Sequence, residues 1–76
     1  MNEFDLALFS SLMQVLPQIL SHHPCGLYEL AQEAAQQIHA PVQDVLVPFN
    51  EALTTLKEAG KIYYDRDHNQ LSLQAS

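Results

Sequence analysis

The sequence predicts an α+β fold that is mostly helical, with three helices followed by a C-terminal β-hairpin. Apolar residues recur with the helical period over about residues 2–21, 27–38 and 41–59. Proline and glycine interrupt the chain between these stretches. From about residue 61 to 74 the period changes to the two-residue alternation of strands, with turn residues in the middle. We therefore expect one domain over residues 1–76.

The first predicted helix has an unusually wide apolar surface. With residues ~100° apart around the helix, two adjoining stripes cover roughly 200°, about twice what packing on one core requires. The first stripe contains Phe4, Leu8, Leu12, Val15 and Ile19. One interpretation is a central helix that its own chain covers on both sides. The other is a dimer interface formed by the first stripe, and for a chain of this size dimerisation would add stability.

A loop is predicted after this helix, where Pro24 disfavours helix and Gly26 frees the backbone. Within it, His22, His23 and Cys25 are weak candidates for metal ligands, because imidazole and thiolate suit zinc or copper. The spacing is not that of a structural zinc site, so no metal is assigned. Alternatively, the histidines end the first helix, where the helix dipole favours imidazolium, and Cys25 is a small buried apolar residue.

The second predicted helix, 27–38, is amphipathic, with an alanine-rich apolar face. That face contains Leu27, Leu30, Ala31, Ala34, Ala35 and Ile38. Small side chains let a neighbouring helix approach closely, as a compact three-helix arrangement requires. Glu29 and Glu33 lie on the opposite, polar side.

The third predicted helix, 41–59, keeps its apolar residues in phase from end to end although it contains Pro48. We expect a kink at Pro48; the alternative is a short helix to Val47 and a new helix that begins with Pro48. Gly60 just after the helix is a typical stop signal, because glycine adopts the left-handed cap conformation without strain.

The hairpin is predicted from two short alternating segments around a polar turn at residues 65–70. An isolated two-stranded hairpin is marginally stable in water. We therefore expect Ile62, Leu71 and Leu73 to pack on the helices.

This order of elements resembles the winged helix-turn-helix superfamily over nearly the whole chain. The resemblance depends on Gly26-Leu27-Tyr28-Glu29-Leu30-Ala31, similar to the start of the family's second helix, and on Ala52-Leu53 through Leu56 and Gly60 to Ile62, similar to its junction between the third helix and the wing. The resemblance implies that the third helix could enter the DNA major groove and that the hairpin could contact phosphate or the minor groove.

The charges oppose that implication. Asp44, Glu51 and Glu58 recur every seven residues and form an acidic stripe on the solvent side of the third helix. An adjacent set could contact nucleic acid, with side chains that read bases or neutralise phosphates. It contains Gln43, Asn50, Thr54, Lys57, Lys61 and Arg66. Lys57, Lys61 and Arg66 are the chain's only lysine and arginine residues, against nine acidic residues. DNA binding is therefore disfavoured though possible.

Composition limits the remaining classes. The formal net charge of −6 repels nucleic acid and anionic lipid. A single cysteine, an acidic N-terminus and the lack of a long uninterrupted apolar run favour a cytoplasmic protein outside the membrane. No arrangement of residues indicates an enzyme or a cofactor. The sequence thus predicts a small acidic winged-helix module that acts by protein contact, as a homodimeric regulator or adaptor, with a sequence-specific DNA-binding transcriptional regulator as the alternative.

Overall fold

A computed structural model describes residues 2–74, and it confirms the predicted fold class. Each predicted boundary of a helix or of the hairpin lies within one residue of the observed one. The predicted domain limits at residues 1 and 76 lie outside the described residues. In chain order the elements are α1 (Glu3–His22), α2 (Leu27–Gln37), α3 (Val42–Glu58), β1 (Ile62–Asp65) and β2 (Gln70–Leu73), with the two strands antiparallel.

Helix α1 runs the length of the molecule. The Asn2 side chain caps it by accepting a hydrogen bond from the backbone N–H of Asp5 at 2.8 Å. The helix continues through Pro17 and has 20 residues, or about 30 Å at ~1.5 Å per residue, against a longest dimension of 32 Å. By length and composition α1 could also cross a membrane, a criterion that core helices of soluble proteins and signal sequences meet as well.

Helix α3 is continuous through Pro48, so the alternative of two separate helices is wrong. Proline inside a helix loses one backbone hydrogen bond. Here the Pro48 ring is fully buried, and the apolar contact offsets that loss. The helix ends as predicted, because Gly60 has a positive φ of 74° and its N–H donates to the carbonyl of Lys57 at 3.0 Å.

The core lies between the three helices and the inner face of the hairpin. As predicted, α2 contributes closely packed alanines, and Ile62 and Leu71 from the hairpin are buried. The same expectation for Leu73 is wrong. Leu73 pairs with Ile62 at the open end of the hairpin, where it is the last residue of its strand and remains 41% exposed.

The hairpin is attached to the loop between α1 and α2. Cys25 forms an isolated antiparallel bridge with Leu71, and each backbone N–H donates to the other residue's carbonyl. In the turn, Asn69 has a positive φ of 49° and its Oδ1 accepts from Tyr64 Oη at 3.0 Å and from Leu27 N–H at 3.4 Å. These contacts explain how a two-stranded hairpin gains a fixed position.

Candidate interaction surfaces

The predicted interface stripe on α1 divides into a buried part and an exposed part. Leu12 and Ile19 are 0% and 3% exposed, so their assignment to an interface is wrong. The chain's own α2 and α3 pack on α1 and occupy this part of the helix. Phe4 is 57% exposed, Leu8 is partly exposed, and Val15 is partly buried against the core.

The start of α1 has apolar side chains on two sides. At ~100° per residue, Phe4 lies roughly 80° to one side of the line through Leu12, and Leu6 lies roughly 120° to the other. Leu6 is 55% exposed. Phe4 and Leu6 are therefore roughly 160° apart around the helix, and Leu8 lies on the same side as Phe4. We call Phe4, Leu6 and Leu8 together the N-terminal apolar surface; it occupies two sides of the helix, and the described residues cover it only in part.

The outward face of α3 combines amide and acidic side chains. Gln43, Asn50 and Thr54 are all exposed, as expected of residues that contact a partner. The acidic stripe of Asp44, Glu51 and Glu58 is equally exposed beside them. Any ligand that approaches this face therefore meets three carboxylates.

The three basic side chains lie at the end of α3 and in the hairpin. The Lys57 ammonium is 5.9 Å from the centroid of the Tyr64 ring, a cation–π distance. Lys61 and Arg66 are exposed. In the hairpin turn Arg66 stands between Asp65 and Asp67, and a hydrogen bond from His68 lowers the pKa of Asp65. The turn is thus locally acidic at neutral pH.

The loop after α1 brings three potential metal ligands together. His23 Nδ1 lies 3.5 Å from Cys25 Sγ, and that sulfur lies 3.7 Å from Glu33 Oε2 on α2. His23 Nε2 lies 3.8 Å from Glu33 Oε1. Burial raises the pKa of the Cys25 thiol to about 11, and the charges of Glu33 and Glu29 contribute to the rise. Without a bound cation the residue is therefore a neutral thiol near pH 7.

Of the two histidines predicted as weak metal-ligand candidates, His23 belongs to the group around Cys25 and His22 does not. His22 is exposed and does not belong to the group, because it is still helical while His23 has left the helix in extended conformation. The sequence places Glu33 on the polar side of α2 and does not by itself pair it with Cys25. The signal for that pairing is the spacing of Glu29 and Glu33, since residues four apart share one helix face and that face here meets the loop.

Two surfaces and one side-chain cluster are thus the candidates for function: the N-terminal apolar surface, the outward face of α3, and the group at Cys25. They lie on different elements and differ in chemistry. No protein-family model, curated protein or solved structure matches this chain.

Proposed function

We propose that this chain is a small acidic protein-interaction module, built like a winged helix, that self-associates through the N-terminal apolar surface as a homodimeric regulator or adaptor. The observation that carries the proposal is the exposure of Phe4 and Leu6 on both sides of the start of α1. An apolar surface left open on a small acidic domain is typical of a protein contact.

Burial of these side chains would supply a driving force. Covering a large apolar side chain stabilises a complex by roughly 1.5–3 kcal/mol before the cost of association. In a two-fold dimer each copy presents the same surface, so the contribution of each residue that the partner covers counts twice. The first turn carries Glu3 and Asp5, and an antiparallel crossing of two α1 helices would keep these acidic turns apart.

The experiment compares the mass in solution of three proteins by light scattering and sedimentation equilibrium. We expect the wild type to dimerise and Phe4→Glu, Leu8→Glu to be monomeric with an unchanged circular dichroism spectrum. The matched control is Val47→Glu, which replaces an exposed apolar residue of α3 and should leave the dimer intact. A wild type that is monomeric at high concentration contradicts the self-association.

The second candidate function is sequence-specific DNA binding. The exposed Gln43, Asn50 and Thr54 favour it, since amide and hydroxyl groups on one helix face can read base edges. The acidic stripe beside them and the locally acidic hairpin turn oppose it. Dimerisation would double the three basic residues to six across two half-sites.

A titration of labelled DNA fragments at ~50 mM salt, where phosphate contacts are strongest, tests this alternative. If α3 faces DNA, the change of Asp44, Glu51 and Glu58 to their amides should tighten binding, and Lys57→Gln with Lys61→Gln should weaken it. The absence of any complex for both wild type and amide variant eliminates DNA binding.

A further inference from the structure

We propose that His23, Cys25 and Glu33 form a Zn²⁺-binding site with three protein ligands and an open fourth position. One donor atom from each residue lies within 4.8 Å of the other two. The three donors are a nitrogen, a sulfur and an oxygen, and zinc is the common biological cation that accepts all three. Calcium and magnesium select oxygen ligands, and Cu(I) prefers sulfur.

The distances are close to those of a tetrahedral zinc site. Zn–S and Zn–O bonds of about 2.3 and 2.0–2.2 Å at the tetrahedral angle place the sulfur and oxygen donors about 3.6 Å apart. The observed separation of Cys25 Sγ and Glu33 Oε2 is 3.7 Å, and His23 Nε2 lies 3.8 Å from Glu33 Oε1. The side chains of His23 and Glu33 are 52% and 40% exposed, so both can rotate slightly to complete the coordination.

The surroundings resemble the outer shell of a metal site. His23 Nδ1 lies 3.0 Å from the Pro24 carbonyl oxygen, which fits an Nδ1–H that donates there and leaves Nε2 with its lone pair for the cation. Metal-bound histidines are commonly held by such a bond from the second ring nitrogen. Glu29 adds a second carboxylate next to Cys25, and its Oε1 accepts from the Gly26 N–H at 3.3 Å.

The ligands come from parts of the fold that the ion would connect. His23 caps the end of α1, Cys25 bridges to β2, and Glu33 belongs to α2. On coordination Cys25 S–H loses its proton to solvent and the thiolate sulfur donates to Zn²⁺. Because the folded chain holds this ligand set, the bound ion stabilises the fold.

The test is a titration of the full chain with Co²⁺ and then Zn²⁺. Cobalt bound to a thiolate gives a charge-transfer absorption in the near ultraviolet, and Zn²⁺ should remove it with a stoichiometry of one ion per chain. At about a hundredfold excess over the dissociation constant, Zn²⁺ should raise the melting temperature by roughly 10 °C or more.

The variants assign the ligands. His23→Ala and Glu33→Gln should weaken Zn²⁺ binding by at least about tenfold. Tenfold is the lower bound, because the loss of a residue that only supports a ligand already costs about that much. The matched control His22→Ala changes the adjacent histidine, which lies outside the group, and should bind like the wild type. Cys25→Ser should abolish the charge-transfer band; since Cys25 is buried, its folding is checked by circular dichroism, and the two exposed variants keep the test valid if it unfolds.

Two results would overturn the site. One is the absence of Zn²⁺ uptake by the wild type in equilibrium dialysis, which leaves the group as a hydrogen-bonded thiol beside an ion pair. The other is binding that His22→Ala weakens as much as His23→Ala, because an unstructured histidine site would then explain the uptake.

Discussion

The two halves of α1 have the same apolar pattern, but the apolar side chains are buried in one half and exposed in the other. From Leu12 to Leu20 the apolar residues Leu12, Leu16, Ile19 and Leu20 are buried, whereas Phe4 and Leu6 in the first half remain more than half exposed. Both halves belong to one continuous helix. The pattern of a helix therefore specifies which faces are apolar, and its neighbours decide which of them are covered.

The short length of α2 and the position of the hairpin contribute to the difference between the halves. At ~1.5 Å per residue, α1 is about 30 Å long and the 11-residue α2 about 17 Å. The hairpin is attached to the loop between α1 and α2 at the Cys25–Leu71 bridge, just after the end of α1. The neighbouring elements thus bury mainly the C-terminal half of α1, and apolar side chains of the N-terminal half remain exposed.

The largest effect is expected from the buried half. Leu16 is completely buried, so Leu16→Ala should lower the free energy of unfolding by about 2–5 kcal/mol, through lost apolar burial and a residual cavity. Urea denaturation followed by circular dichroism measures it. A loss below ~1 kcal/mol would mean that the C-terminal half is no better packed than the N-terminal half.

The next effect concerns the residue that joins the buried half to the hairpin. The Cys25 thiol has an ordinary pKa of 9.0 and a folded pKa of about 11. Between these pH values the unfolded chain releases the thiol proton before the folded chain does, which favours unfolding. The thiol's contribution to the free energy of unfolding is therefore present below pH 9 and is lost as the pH rises to 11, by about 1–3 kcal/mol in total.

The measurement compares the wild type with Cys25→Ala across that pH range, so that pH effects common to both proteins cancel. The variant should lose less stability between pH 9 and 11 than the wild type. Parallel curves would show that the folded thiol ionises as freely as the unfolded one.

Local signals predicted the elements well. The boundaries of α3 follow from apolar phase and from Gly60, whose positive φ only a few residue types adopt readily. The alanine face of α2 follows from composition and period. These features depend on residues close together in sequence, which is why one sequence was sufficient.

The surfaces were harder to predict because they depend on distant neighbours. The periodicity of α1 could not show that Leu12 and Ile19 would be covered while Phe4 would not. Glu33 joined Cys25 only through the folding of the loop over one side of α2. Asn69 links the hairpin turn to Leu27, 42 residues away, and nothing in its local sequence marks that contact.

A smaller effect tests whether the exposed half folds together with the buried half. Asn2 caps α1 with its side chain, and Asn2→Ala should lower the free energy of unfolding by ~1 kcal/mol. Asn2→Ser is the matched control. Serine is also a good N-cap, so this variant should change the free energy of unfolding by at most a few tenths of a kcal/mol. No loss for the alanine variant would indicate that the first turns unfold independently of the core.

The smallest effect on the single chain is expected from Phe4→Ser with Leu6→Ser. Surface changes usually alter stability by within ~0.5 kcal/mol each, so at high dilution the double variant should unfold almost like the wild type. At high concentration the two should separate, because a dimer gains stability with protein concentration and the variant lacks the surface that forms it. Thermal unfolding over a hundredfold range of concentration measures both. A loss above ~2 kcal/mol at high dilution would place Phe4 and Leu6 in the core and remove the distinction between the two halves of α1.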